Sequence, residues 1–146
     1  MAARLLRPYA REDLPMRSII RLFFRTLRLV LAPFMLISEK MTRGSALERS
    51  PAEQAKVDAE TANLALYQFS TCPFCIKVRK RIHQLSLNIE QRDTQHNATH
   101  RQALEQGGGR VKVPCLLITH DDGREEWMYE SDTINAYLQQ HFGSSV

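Results

Sequence analysis

Residues 64–146 read as an α/β domain: a four-stranded mixed sheet flanked by helices, with an amphipathic helix ahead of it in the chain. Three observations predict this. Apolar runs of strand length alternate with segments whose apolar residues recur at three- and four-residue spacing. The signals fall in the order β-α-β-α-β-β-α, and a strand–helix–strand unit followed by a hairpin and a helix gives a mixed sheet covered on both faces. Finally, a Cys-x-x-Cys pair, Cys72 and Cys75, stands where the first strand gives way to a helix.

The first strand is the apolar run Leu64-Ala65-Leu66-Tyr67-Gln68-Phe69. After the cysteines, Ile76, Val78, Ile82 and Leu85 lie on one helical face, and this helix is expected to end near Leu87. Asn88 to Asp93 reads as the second strand. A polar helix follows over roughly residues 98–106, closed by Gly107-Gly108-Gly109, which lack the Lys-Ser/Thr of a phosphate loop and serve as a linker. Cys115-Leu116-Leu117-Ile118-Thr119-His120 is the third strand, Asp121-Asp122-Gly123 a hairpin turn, and Glu126 to Tyr129 the returning strand. Ser131 caps a last helix that buries Ile134, Tyr137 and Leu138.

Ahead of the domain the chain changes character twice. Residues 1–16 carry Arg4, Arg7, Arg11, Glu12, Asp13 and two prolines without periodicity, and are expected to be poorly ordered. Met16 is an alternative initiator. Residues 17–37 place Arg17, Arg21, Arg25 and Arg28 along one helical face, with Ile20, Phe23, Phe24, Leu27 and Leu31 around the rest. Spanning a bilayer would bury arginines at about 2.5–3.5 kcal/mol each, and the uncharged stretch from Leu29 to Ser38 is short. A helix lying in the interface, arginines at lipid phosphates and aromatics in the acyl boundary, costs less. Packing on the chain's own domain or on a partner is the alternative. Charge inside the apolar run and no small-residue cleavage site speak against a signal peptide. Exposed phenylalanines and leucines speak against nucleic acid as the partner. Residues 38–63 form a polar, alanine-rich linker, in which Ser50-Pro51-Ala52-Glu53 is a capping box opening a short helix. The expected organisation is therefore an anchor segment over 1–37, a linker over 38–63 and the domain over 64–146.

Charge supports this division. Residues 1–63 hold 11 Lys and Arg against 7 Asp and Glu, whereas residues 64–146 hold 9 of each, so the net +4 belongs to the N-terminal part. A basic appendage suits an anionic membrane surface. Three cysteines, an odd number, do not make a secreted disulfide framework; they fit a reducing, cytoplasmic compartment.

The chemistry is expected at the cysteine pair. Cys72 stands just before a helix N-terminus and Cys75 a turn inside. Unpaired N–H groups and the positive end of the helix dipole favour an anion there. A cysteine's anion is the thiolate, the form that attacks disulfides. Half of a zinc or iron–sulfur site is the competing reading, but only Cys115 and scattered histidines remain as further ligands, so no metal is expected. Cys115, at the start of a buried strand, reads as packing.

With Thr71-Cys72-Pro73-Phe74-Cys75, Lys112-Val113-Pro114 and Tyr129-Glu130-Ser131-Asp132 in this order, residues 64–143 resemble the glutaredoxin branch of the thioredoxin-like proteins. The run Leu66 to Cys75, followed by Lys77-Val78-Arg79, is also similar to the glutathione-transferase-type N-terminal domain of membrane-associated prostaglandin E synthase, which adds a large helical domain. The resemblance implies a glutathione-dependent thiol–disulfide oxidoreductase acting on glutathionylated or disulfide-bonded proteins. Cys72 would be the nucleophile and Cys75 the second thiol, with glutathione as co-substrate held by Phe74, Val113, Pro114, Glu130 and Ser131. It also implies a cis peptide at Val113-Pro114. The alternatives are a glutathione-binding module docking a membrane partner, and a transferase or isomerase activity. With residues 17–37 added, the expected location is the cytoplasmic face of a membrane. Two positions depart from the glutaredoxin pattern. Phe69 stands where many members carry a lysine for glutathione's glycyl carboxylate, leaving Lys77, Arg79 or Arg110 as substitutes. Tyr129 precedes Glu130 where many have Gly-Gly.

Overall fold

Leu64-Ala65-Leu66-Tyr67-Gln68 is buried at every position, as a strand covered on both faces must be. A computed structural model of the chain describes residues 14–143 and puts this strand, β1 (Leu64–Gln68), inside a four-stranded sheet. The other strands are β2 (Glu90–Asp93), β3 (Cys115–Thr119) and β4 (Glu125–Tyr129), in the order β2-β1-β3-β4. β1 runs parallel to β2, with Leu66 opposite Gln91, and antiparallel to β3, with Leu66 opposite Leu116. β3 pairs antiparallel with β4, closing the hairpin expected at Asp121-Asp122-Gly123.

The helices are α1 (Leu14–Met41), α2 (Pro51–Thr61), α3 (Pro73–Gln84), α4 (Ala98–Gly108) and α5 (Ser131–Phe142). Because strand side chains alternate, the sheet makes two cores. Leu64, Leu66, Leu116 and Ile118 point to one face and pack with Val78 and Ile82 of α3 and Ile134, Leu138 and Phe142 of α5. Ala65, Tyr67, Cys115 and Leu117 point to the other, where Leu104 of α4 meets them. Val57 of α2 adds to the first core.

Several boundaries differ from the sequence reading. α3 stops at Gln84, three residues early, because Leu85 turns out of helical geometry and Ser86 takes a positive φ of 50°. β2 begins at Glu90 rather than Asn88. Gly107 and Gly108 are not linker: they form the last turn of α4, and only Gly109, at φ 76°, ends it. A Cβ on Gly107 would come within 2.1 Å of the Trp127 ring, and one on Gly108 within 2.1 Å of the Tyr129 hydroxyl. These glycines let the helix lie against β4.

The capping box of α2 is present in full: Ser50 accepts from the Glu53 N–H while the Glu53 carboxylate accepts from the Ser50 N–H. Arg49 beside it donates to the carbonyls of Leu85 (2.5 Å) and Phe142 (2.7 Å), so one guanidinium serves the C-terminal ends of α3 and α5.

The chain divides into two units, Met1–Met35 and Leu36–Val146. In the first, the disorder expected of residues 1–16 falls largely outside the described residues, and from Leu14 the backbone is helical. Ile19, Phe23, Phe24, Leu27 and Leu31 are exposed. Among the described residues, no helix is long and apolar enough to cross a membrane. In the second unit, the stretch read as linker opens with the last turns of α1 and contains a buried glutamate, Glu39.

Candidate active site

Cys72 occupies the N-cap of α3, with extended backbone (φ −76°, ψ 123°), and Pro73 follows inside the first turn, where no N–H is missed. The Cys72 carbonyl accepts the Ile76 N–H at 2.9 Å, and its own N–H reaches the Phe69 carbonyl at 3.3 Å, so the loop before the helix is a tight turn. Cys72 is half-buried and Cys75 buried, and both are free thiols. Burial pushes the Cys75 thiol up to about 12; the adjacent Cys72 sulfur, with which it shares a hydrogen bond, adds to this, against a backbone hydrogen bond from Phe69 and the charge of Arg79. Cys75 is therefore protonated at neutral pH.

A cleft of about 310 Å³ is lined by Phe74 from the first turn of α3, Lys112, Val113 and Pro114 from the loop before β3, and Glu130, Ser131 and Asp132 at the start of α5. Phe74, Val113, Pro114, Glu130 and Ser131, read from the sequence as a glutathione-holding set, thus share one cleft. The Val113–Pro114 peptide is cis. Ser131 is not the cap of α5, as expected from sequence. That position belongs to Glu130, which takes a φ of 69°, uncommon outside glycine, and Ser131 is the first helical residue. The shift of one residue puts the first-turn N–H groups of Ser131 and Asp132, which have no intrahelical partner, at the cleft.

Two residues of this lining were missed by the sequence reading. Lys112 pairs with the Glu130 carboxylate and holds it below the usual carboxylate range. Asp132 pairs with Lys77 of α3. The signal was available, because both stand inside motifs already singled out, where they were given no role. Of the three cations proposed to replace the lysine absent at Phe69, Lys77 ends beside Asp132. Arg110 lies over the Tyr129 ring at 4.4 Å. Arg79 is ruled out: it is buried and bonded to Glu39, Gln68, Phe69 and Ser70.

Cys115 is buried in the second core, as its place at a strand start suggested, and burial pushes its thiol up to about 11. Among the described residues, no group of three or more His, Cys, Asp or Glu could hold a metal ion. A larger cleft, about 450 Å³, lies on the α4 side between Tyr67, Arg92, Gln106 and Trp127, and no residue of the Cys72–Cys75 segment lines it. The smaller one adjoins that segment through Phe74.

A four-stranded mixed sheet with a Cys-x-x-Cys helix start, a cis-proline loop and a last helix starting at one cleft is a thioredoxin-like domain with a glutathione-binding fold. Within that class, the family model described as "Glutathione S-transferase, N-terminal domain" matches residues 66–145, more than half of the chain, and the chain belongs to that family. No curated protein matches the chain. Among solved structures, it is similar to a maleylacetoacetate isomerase from Anaeromyxobacter dehalogenans 2CP-1 crystallised with bound glutathione (22% identity, 57% of this chain and 39% of that one, TM-score 0.44). It is also similar to Leishmania TDR1, a trimeric glutathione transferase (28% identity, 53% and 17%, TM-score 0.45), and to a wheat glutaredoxin (23% identity, 62% and 84%, TM-score 0.41). The chain spans about two fifths of the isomerase's length. The likeness to prostaglandin E synthase finds no support in these comparisons.

Proposed function

We propose that the protein is a glutathione-dependent thiol–disulfide oxidoreductase of the glutaredoxin type, working at a membrane surface. One observation carries the reading: the cleft holding Phe74, Lys112, Val113, Pro114, Glu130, Ser131 and Asp132 opens beside the first turn of α3, whose cap is Cys72. It combines an aromatic wall, backbone groups, a helix N-terminus and charges of both signs, which suits a small zwitterionic peptide thiol.

In the proposed reaction the Cys72 thiolate attacks the glutathione sulfur of a protein–glutathione disulfide. That S–S bond breaks, the protein sulfur leaves as a thiolate and takes a proton, and a Cys72–glutathione disulfide forms. A second glutathione, as thiolate, attacks the glutathione sulfur of that intermediate, regenerating the Cys72 thiolate and releasing glutathione disulfide. The sulfur of the incoming glutathione is oxidised and the protein sulfur is reduced, while the glutathione sulfur already in the mixed disulfide stays at disulfide level, so no further electron carrier is required. Cys75 could instead attack Cys72, but a thiol pushed to about 12 supplies little thiolate at neutral pH, which favours the second glutathione.

The first-turn N–H groups of α5 suit the γ-glutamyl carboxylate, Glu130 its ammonium, and Lys112 or Lys77 the glycyl carboxylate. Membrane contact is assigned to residues 17–37, whose exposed phenylalanines and leucines share a helix with Arg21, Arg25 and Arg28. In this reading the protein works on the cytoplasmic face of the membrane. A transferase-type activity is the second reading, favoured by the family match alone. The deciding assay is reduction of a glutathionylated peptide, run beside conjugation of an electrophilic substrate. Peptide reduction that disappears in Cys72→Ser supports the oxidoreductase; conjugation surviving in Cys72→Ser supports the transferase.

A further inference from the structure

Arg79 is a cation on the buried side of α3, 8% exposed, and nothing in the proposed chemistry uses it. Its guanidinium is fully engaged. Nη2 donates to the Ser70 carbonyl at 2.8 Å and to Glu39 Oε2 at 2.6 Å, Nε donates to Glu39 Oε1 at 2.9 Å, and Nη1 bonds Gln68 Oε1 and approaches the Phe69 carbonyl at 3.4 Å. Three of these partners, Gln68, Phe69 and Ser70, are consecutive and lead from the end of β1 into the turn that ends on Cys72. Only a planar fork of five donors can reach two carboxylate oxygens on one side and a run of backbone and side-chain oxygens on the other.

Glu39 is 2% exposed. Burial opposes its ionisation, but the Arg79 hydrogen bonds and charge, helped by Arg43 at 3.5 Å, prevail and keep its carboxyl below the usual carboxylate range. Nor is its docking an isolated contact. Thr42 accepts from Lys80 at 2.5 Å, the Leu47 N–H donates to the Gln84 carbonyl at 2.8 Å, and Ser86 donates to the Leu47 carbonyl at 2.6 Å. The segment from Glu39 to Leu47 is thus tied to α3 at successive points.

We infer that Arg79 is a positioning residue for the Cys72 loop, and that Glu39, at the end of α1, is the counter-charge that holds Arg79 in register. The last turn of α1 is then part of what holds the Cys72 loop at the start of α3. This rests on the reading of Cys72 as the nucleophile, but its first test does not depend on turnover.

The test is the rate of Cys72 alkylation by iodoacetamide against pH, read by mass spectrometry on the full chain, for wild type, Arg79→Lys and Glu39→Gln. Arg79→Lys keeps the charge and loses the fork. Positioning predicts a higher pH midpoint, by about half a unit or more, hence roughly threefold less thiolate below it. Glu39→Gln separates the possible causes. A purely electrostatic role predicts a lower midpoint, because a negative charge is removed; positioning predicts a higher one. A merely structural role predicts lower melting temperatures and superimposable profiles. Folded variants whose profiles superimpose on wild type, or a lower midpoint in Glu39→Gln, overturn the inference; higher midpoints in both support it. Should Arg79→Lys not fold, Glu39→Gln alone decides. The same variants assayed with glutathionylated peptide should lose kcat with little change in glutathione KM. If wild type shows no such turnover while the alkylation profiles shift as stated, the functional reading fails and the loop clamp stands.

Discussion

α1 and α3 are both amphipathic, both carry arginines among apolar residues, and have opposite fates. In α3, Ile76, Val78 and Ile82 are buried, and even Arg79 is enclosed because Glu39 and the loop oxygens satisfy it. In α1, Phe23, Phe24, Leu27 and Phe34 lie exposed. Apolar spacing makes a helix in either case, but it does not say what covers the apolar side. For α3 a sheet is available, and the face is used for folding. For the first part of α1 the apolar residues stay exposed, next to cations.

The sharpest contrast is expected in turnover. Cys72→Ser should bring glutathionylated-peptide reduction down to the uncatalysed rate, whereas deleting residues 1–35 should leave it near wild type in solution, Glu39 being retained. A deletion that abolishes activity in a folded protein would show that the two helices are not separable in function. Next comes stability. Ile82→Ala in α3 should lower the free energy of unfolding by about 2–5 kcal/mol, and Leu27→Ala in α1 should leave it within about 0.5 kcal/mol, both read by urea titration. Equal losses would mean that α1 also packs into a core.

Membrane contact should reverse the ranking. Cosedimentation with phosphatidylserine-containing vesicles should weaken roughly fivefold for each of Arg21→Gln and Arg25→Gln, about 1 kcal/mol apiece, and not at all for Ile82→Ala in its folded state. Binding to neutral and anionic vesicles alike would remove the arginines from the explanation. Smaller is the acid limb of stability. Glu39 has a folded pKa depressed below its ordinary 4.5, so its contribution is present above that value and lost as pH falls through the folded pKa. Urea titrations below pH 4.5 should therefore show a shallower loss in Glu39→Gln, starting from a lower plateau. The smallest effect is expected from Cys75→Ser, which should keep most of the peptide reduction, because the buried thiol contributes little thiolate; a full loss would assign the release step to Cys75.

Much of this molecule was legible in its residues. The strand–helix order follows from apolar spacing, the α2 cap from Ser50 and Glu53, and the five residues sharing the cleft from motifs that stand far apart in the chain. Those signals are local, set by backbone propensity and by side chains a few positions apart. Other features depend on contacts between segments, which spacing does not encode. Glycines that read as a linker stand in a helix end that Trp127 and Tyr129 approach too closely for any Cβ. The cap of α5 fell on Glu130 rather than Ser131, and Lys112 joined the cleft by pairing with it. Arg79, one of several charges on a helix by sequence, became the centre of the Cys72 loop only because Glu39, 40 residues earlier, folds onto it. A charge can be buried only where its partners converge, and that convergence belongs to the tertiary structure.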